Sequence, residues 1–186
     1  MPAAELNAVN EMLAAIGESP LESLEIMPPS GHTARLILNQ TSVAIQTEGH
    51  WFNQEGSYRL VPDAAGEINL PPNILSVDAT DNTIDVIARG SRLYDKTRQS
   101  YTFDRALECD VILLLPWEEL PPVARWYITA AAAELFCESF PGSPGVTEAR
   151  DRNLRRALAA FRRAEVENGD YSLLKNTSIQ YNLRRT

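Results

Sequence analysis

Residues 120–140, LPPVARWYITAAAAELFCESF, constrain the fold more than any other stretch of the chain. Pro121 and Pro122 suit the first turn of a helix, where a missing N–H removes no intrahelical bond. Trp126, Tyr127, Ile128, the alanines from Ala130 to Ala133, Leu135, Phe136 and Cys137 follow, leaving Arg125, Thr129, Glu134 and Glu138 as the polar side chains of the interior. A helix lying on one side of a core carries a broader polar face than this. The pattern therefore predicts a central helix with neighbours on several sides, its alanines allowing close approach and its aromatics filling wider gaps.

The neighbours must come from the flanking segments. Leu6, Val9, Leu13 and Ile16 recur at helical spacing with Met12 beside them, and Gly17 follows as a stop. A proline-bearing loop, SLEIMPPSGH, leads to a second predicted helix that begins near Ser30 to Thr33 and runs to about Thr47. Ala34, Ile37, Thr41, Ala44 and Ile45 form one face of it, Leu36 and Val43 mark another, and Gly49 ends it. Past the central helix, SFPGSPG forces a sharp connection. A last helix is expected from Val146 to about Val166, with Leu154, Ala157, Leu158 and Phe161 as its apolar stripe. After the NGD at 168–170 the sequence YSLLKNTSIQYNLRRT has little periodicity, and we expect residues 171–186 to become ordered on a partner.

Between the second and third helices the character changes. Residues 51–115 hold short β-rich runs, YRLVP, EINLP, ILSVDA, TIDVIAR, RLYD, YTF and DVILLL, broken by Gly, Asn, Asp and Pro. They predict five to seven antiparallel strands in a compact sandwich or barrel-like unit, with Val61, Ile68, Leu70, Ile74, Val77, Ile84, Val86 and Leu93 inside. The fold class is thus α+β: an antiparallel bundle of about four helices from residues 1–50 and 116–168, an inserted β domain at 51–115, and a C-terminal extension at 169–186.

Charge sharpens this division. Of 17 basic and 25 acidic side chains, residues 1–149 hold 8 and 21, whereas residues 150–186 hold 9 and 4. An acidic body thus carries a basic C-terminal fifth, which suits head-to-tail pairing of copies or an acidic partner. No apolar run approaches the roughly 18 to 20 residues of a membrane span, and the N-terminal stretch lacks the basic region of a secretion signal. Cytoplasmic synthesis without a membrane step is expected.

Chemistry is sparse. His32 stands at a helix start and His50 in a helix-to-strand turn, neither with Cys, His, Asp or Glu at ligand spacing. Phosphate loops, dinucleotide fingerprints and serine elbows are absent from the sequence. Glu118 and Glu119 are adjacent acids before a helix, where its N-terminus favours negative charge. Asp78, Asp81 and Asp85 cross a turn and read as hairpin solubility with a cation as the sharper alternative; Cys109 and Cys137 read as buried thiols. No catalytic residue, metal ligand or cofactor is expected. The arginines Arg152, Arg155, Arg156, Arg162 and Arg163 spread a broad guanidinium surface over the last helix, open to a neighbouring subunit or to phosphates.

Several stretches together resemble the tail tubular protein A family, the head-to-tail adaptors of short-tailed, podovirus-type phages. They are ELNAVNEMLAAIGESPLESLE at 5–25, ARLILNQ at 34–40, GHWFNQE at 49–55, LPPNILSVDAT at 70–80, RLYDKTRQSYTF at 92–103, LPPVARWYITAAAAELF at 120–136 and EARDRNLRRALAAFRRAEVENGDYSLL at 148–174. The resemblance implies a helical bundle with an inserted β domain and a structural virion role. It implies a ring of twelve copies below the portal, extending the DNA channel to the tail nozzle (tubular protein B) and helping to seat tail fibres or spikes. On that reading Leu6, Val9, Leu13, Ile16, Ile37, Trp126, Tyr127, Phe136, Leu154, Leu158 and Phe161 form the bundle core. Arg125, Glu134, Glu138 and the five arginines are the candidate contacts between subunits. A nucleic-acid-binding protein using the arginine helix and a tail-associated glycan hydrolase are the alternative functions.

Overall fold

The computed structural model describes residues 3–139 and 147–175, as α1 (Ala3–Ala15), α2 (Pro29–Thr47), β1 (Gln54–Leu60), β2 (Ile74–Ala79), β3 (Val86–Arg89), β4 (Arg92–Asp95), β5 (Leu107–Leu113), α3 (Pro122–Glu138) and α4 (Thr147–Lys175). A short 3-10 turn, Trp117–Glu119, precedes α3. The fold is α+β, four helices with a small antiparallel β insertion. The chain divides into two compact units, Met1–Ser42 with Pro116–Thr186, and Val43–Leu115.

In the helical unit α3 packs against both α1 and α4. Its buried positions, Ala124, Ile128, Thr129, Ala130, Ala132, Ala133, Phe136 and Cys137, occupy more than half of its circumference, as a helix with two helical neighbours requires. Thr129 satisfies its hydroxyl by donating to the Arg125 carbonyl at 2.8 Å. From α1, Val9, Met12 and Leu13 are fully buried, while Leu6 and Ile16 are half-buried. Gly17 ends α1 at φ +81°, and the Glu18 N–H returns to the Leu13 carbonyl at 3.0 Å, closing the helix end with a residue that tolerates the left-handed conformation. Asn10 clamps the following loop: its side chain accepts from the Leu21 N–H at 2.7 Å and donates to the Leu21 carbonyl at 3.0 Å. Arg35 of α2 reaches Glu5 of α1 at 2.7 Å.

In the β unit, β5 lies between β1 and β2, both antiparallel to it. Alternation along β5 sends Leu107, Cys109, Val111 and Leu113 inward. They meet Leu60, Val77 and Ala79 from the flanking strands, with Ile68, Leu70, Val86, Leu93 and Phe103 completing the core. Strands β3 and β4 form a separate hairpin whose two-residue loop starts with Gly90 at φ +64°. Arg89 lies over the Tyr94 ring and Arg92 over Tyr101.

Three expectations change. EINLP and YTF form isolated bridges, Glu67 with Thr102 and Asn69 with Arg92, instead of strands; Ile68 and Phe103 are still buried, but the Pro71–Pro72 pair offers no donors with which to extend a ladder. Val61 is 61 % exposed because Leu60, the residue before it, takes the inward position at the end of β1 and alternation turns Val61 outward. The last helix runs through Gly169 to Lys175 instead of stopping near Val166. One interior glycine costs about 1 kcal/mol, too little to end a helix already twenty residues long. The expectation for residues 176–186 lies outside the described residues.

Candidate assembly surfaces

The histidines, paired acids and cysteines sit in structural settings. His32 is exposed on α2. His50 is buried, its Nε2 lies 2.9 Å from the Ile45 carbonyl, and its ring stacks on Phe52. Glu118 and Glu119 are exposed on the 3-10 turn. Asp81 accepts from both the hydroxyl and the N–H of Thr83, which together with Arg105 hold its carboxyl below the usual range. Asp85 pairs with Lys96 at 2.7 Å. Asp78 lies on β2, opposite Asp110 of β5. Among the described residues no group of three or more His, Cys, Asp or Glu could hold a metal ion. Burial, followed by the nearby charges of Asp110 and Asp78, pushes the Cys109 thiol up to about 11, so at neutral pH it is a protonated core thiol. Cys137 is also buried and free.

What remains is surface. On α4 the arginines occupy the side opposite Ala157 and Phe161, the buried positions that hold the helix in the bundle. Arg152 approaches Glu148 at 3.8 Å, Arg155 pairs with Asp151, and Arg163 pairs with Glu167 at 3.0 Å, each four residues apart on the helix. Arg156 and Arg162 are exposed and form no ion pair among the described residues. Leu154 and Leu158 are half-buried beside the core stripe.

The α3 residues divide. Phe136 is fully buried, and Tyr127 packs its ring on Phe161 with centroids 5.0 Å apart. Trp126 is 38 % exposed, and its Nε1 donates to Asn153 of α4 at 3.3 Å. Leu135 is 50 % exposed. Arg125 and Glu134 are half-buried and Glu138 exposed; Glu134 Oε2 is buried and accepts no hydrogen bond among the described residues. On α2, Ile37 is half-buried, whereas Leu36 and Val43, a heptad apart, are exposed together.

In the β unit the outer face of β1–β5–β2 is acidic. Asp78 lies directly opposite Asp110, Glu108 precedes Asp110 by two residues on the same face, and Arg59 faces Glu108. All four are exposed. The other basic side chains of this unit are engaged elsewhere: Arg92 with Glu67, Lys96 with Asp85, Arg98 with Asp104, Arg105 with Asp81, and Arg89 on Tyr94.

One feature of the β unit has no signal in single-sequence periodicity. Asn53, fully buried, donates to the Gln46 carbonyl at 2.9 Å and the Leu113 carbonyl at 2.8 Å and accepts from the His50 N–H at 2.8 Å. Gln46, also fully buried, accepts from the Leu115 N–H and donates to its carbonyl. This network ties the end of α2 to the end of β5.

The sequence model of a protein family described as Tail tubular protein matches residues 6–171. Tail tubular protein A of Klebsiella phage KP34 is 30 % identical over 139 residues, covering 74 % of this chain and 74 % of that protein.

Proposed function

Because the chain belongs to the tail tubular protein family, a family of structural phage-tail proteins and not of enzymes, we propose that it is the head-to-tail adaptor of a short-tailed phage. Twelve copies form a ring between the portal and the tail nozzle, extend the DNA channel, and help to seat tail fibres or spikes. The protein is made and assembled in the host cytoplasm and ends in the virion tail. The observation that carries this reading is the family match along residues 6–171, through both the helical unit and the β insertion. Segregated charge supports it: an acidic β surface and an arginine-covered helix are what head-to-tail contacts between identical copies use.

Within the ring, residues 1–50 and 116–168 act as the scaffold, 51–115 as the inserted domain, and 169–186 as an extension toward a neighbour or the portal. Phe136, Tyr127 and Phe161 keep α3 and α4 together, while Arg125, Glu134 and Glu138 of α3 meet neighbouring subunits. Acids lining the lumen keep DNA from sticking during passage. Incubation of the purified chain with purified portal, followed by electron microscopy, tests the assignment. A ring seated on the portal is expected; a chain that neither forms a ring nor binds the portal overturns it.

The arginine face also permits a nucleic-acid-binding reading, which predicts duplex affinity that falls steeply with salt and depends on Arg156 and Arg162. Three of the five guanidiniums already have carboxylates on their own helix, which leaves this reading second.

A further inference from the structure

We infer that α4 of one copy docks across the acidic outer face of β1–β5–β2 of the next, with Arg156 and Arg162 meeting Asp78, Glu108 and Asp110. The inference rests on the ring assembly proposed above and names the surfaces that build it.

Asp78 and Asp110 are register partners on adjacent strands, so two carboxylates face outward side by side. Like charges placed directly opposite each other destabilise a sheet; this sheet offsets them with Arg59, opposite Glu108, as its one cation and with the Ser57 N–H, which donates to Asp110 Oδ1 at 3.3 Å. The cations nearest in sequence are committed elsewhere, Arg89 to the Tyr94 ring, Arg98 to Asp104 and Arg105 to Asp81. On α4 the situation is mirrored: the arginines four residues from an acid are paired, and Arg156 and Arg162 are not, among the described residues. Each surface carries uncompensated charge of the sign the other lacks.

Arg156 and Arg162 lie about 9 Å apart along the axis and about 120° apart around it, so they flank the arginine face on its two sides, with Arg152, Arg155 and Arg163 between them. Glu108 and Asp78 lie two residues along and one strand across, a separation of roughly 8 Å. Carried on long flexible stems, the two flanking guanidiniums reach in toward the acidic triangle from either side of the helix. The contact is heterologous, joining different patches of identical chains, which is the arrangement that closes rings. A second copy of this chain is therefore favoured over DNA as the occupant of the arginine face: DNA would match α4 but leave the acidic sheet uncovered.

The test uses the full-length chain with purified portal, particle masses being read by mass photometry and folding by circular dichroism. R156E/R162E and D78K/D110K are each expected to keep the wild-type spectrum and to weaken ring formation by about tenfold or more. An equimolar mixture of the two is expected to recover rings, because each reversed surface then meets its complement in alternation. Rings formed by either variant as readily as by the wild type, or a mixture no better than its components, overturn the docking and leave the ring assignment standing. A wild-type chain that forms no ring overturns both. Loss of duplex-DNA retention by R156E/R162E with its rings intact assigns the arginines to phosphate and also overturns the docking.

Discussion

At the scale of single residues, buried polar groups and opposed charges set the sharpest expectations. Asn53 saturates three backbone groups in the interior of the β unit, and removing its side chain leaves the Gln46 and Leu113 carbonyls and the His50 N–H without it. Asn53→Ala should lower unfolding free energy by about 3 kcal/mol in urea titration, because each orphaned buried group costs about 1 to 3 kcal/mol. Asp78→Asn should act in the opposite sense: it relieves the repulsion from Asp110 and should stabilise the free chain by a few tenths to about 1 kcal/mol, while weakening ring formation if α4 docks there. Glu11 gives a pH signature. Desolvation raises its pKa, and a hydrogen bond donated by Asn153 only partly opposes this. The folded chain therefore binds that proton more tightly than the unfolded chain, and stability is lost as pH rises from the unfolded value of 4.5 through the raised folded value. Glu11→Gln should raise the melting temperature at pH 7 and leave it unchanged well below pH 4.5; an equal rise at both pH values would exclude this linkage.

At the scale of elements, what the sequence revealed follows from how local each cause is. Gly17 and Gly49 read as helix stops, and both adopt positive φ, +81° and +77°. Gly49→Ala should cost about 1 to 2 kcal/mol, since alanine pays for left-handed backbone, and its Cβ would press on Gln54 and Ile112. ILSVDA and RLYD were legible as strands because alternation and turn residues bracket them closely. EINLP has similar alternation yet no continuous ladder, because strand pairing depends on a partner that periodicity does not specify. The end of α4 lies beyond the NGD sequence because a glycine penalty is small beside the cooperativity of a long helix. The apolarity of α3 pointed to burial on most sides, and the broad buried arc agrees, but Trp126 and Leu135 keep exposed surface. Leu36 and Val43 of α2 also stay outside, at 57 % and 40 % exposure. Leu36→Ser with Val43→Ser should accordingly change the stability of the free chain by no more than about 0.5 kcal/mol per site, as surface substitutions do.

For the whole molecule, charge segregation was legible in the sequence, but the location of its uncompensated part was not. Counting residues separates an acidic body from a basic terminus; only strand register puts Asp78 beside Asp110, and only the helix places Arg156 and Arg162 beyond reach of the acids that neutralise their neighbours. A ring joined through such surfaces must feel ionic strength in a way that a ring joined by apolar burial does not. Raising salt from about 0.1 M to about 1 M shortens the screening length from about 10 Å to about 3 Å. It leaves apolar contacts intact or strengthens them. Ring formation measured by sedimentation should therefore weaken steadily over that range for the wild type, and the dependence should reverse in R156E/R162E, where salt screens the repulsion between the new glutamates and the acidic sheet. Rings equally stable at both salt concentrations would place the energy of assembly in apolar contacts, with exposed Leu36, Val43 and Leu135 as the side chains to substitute next.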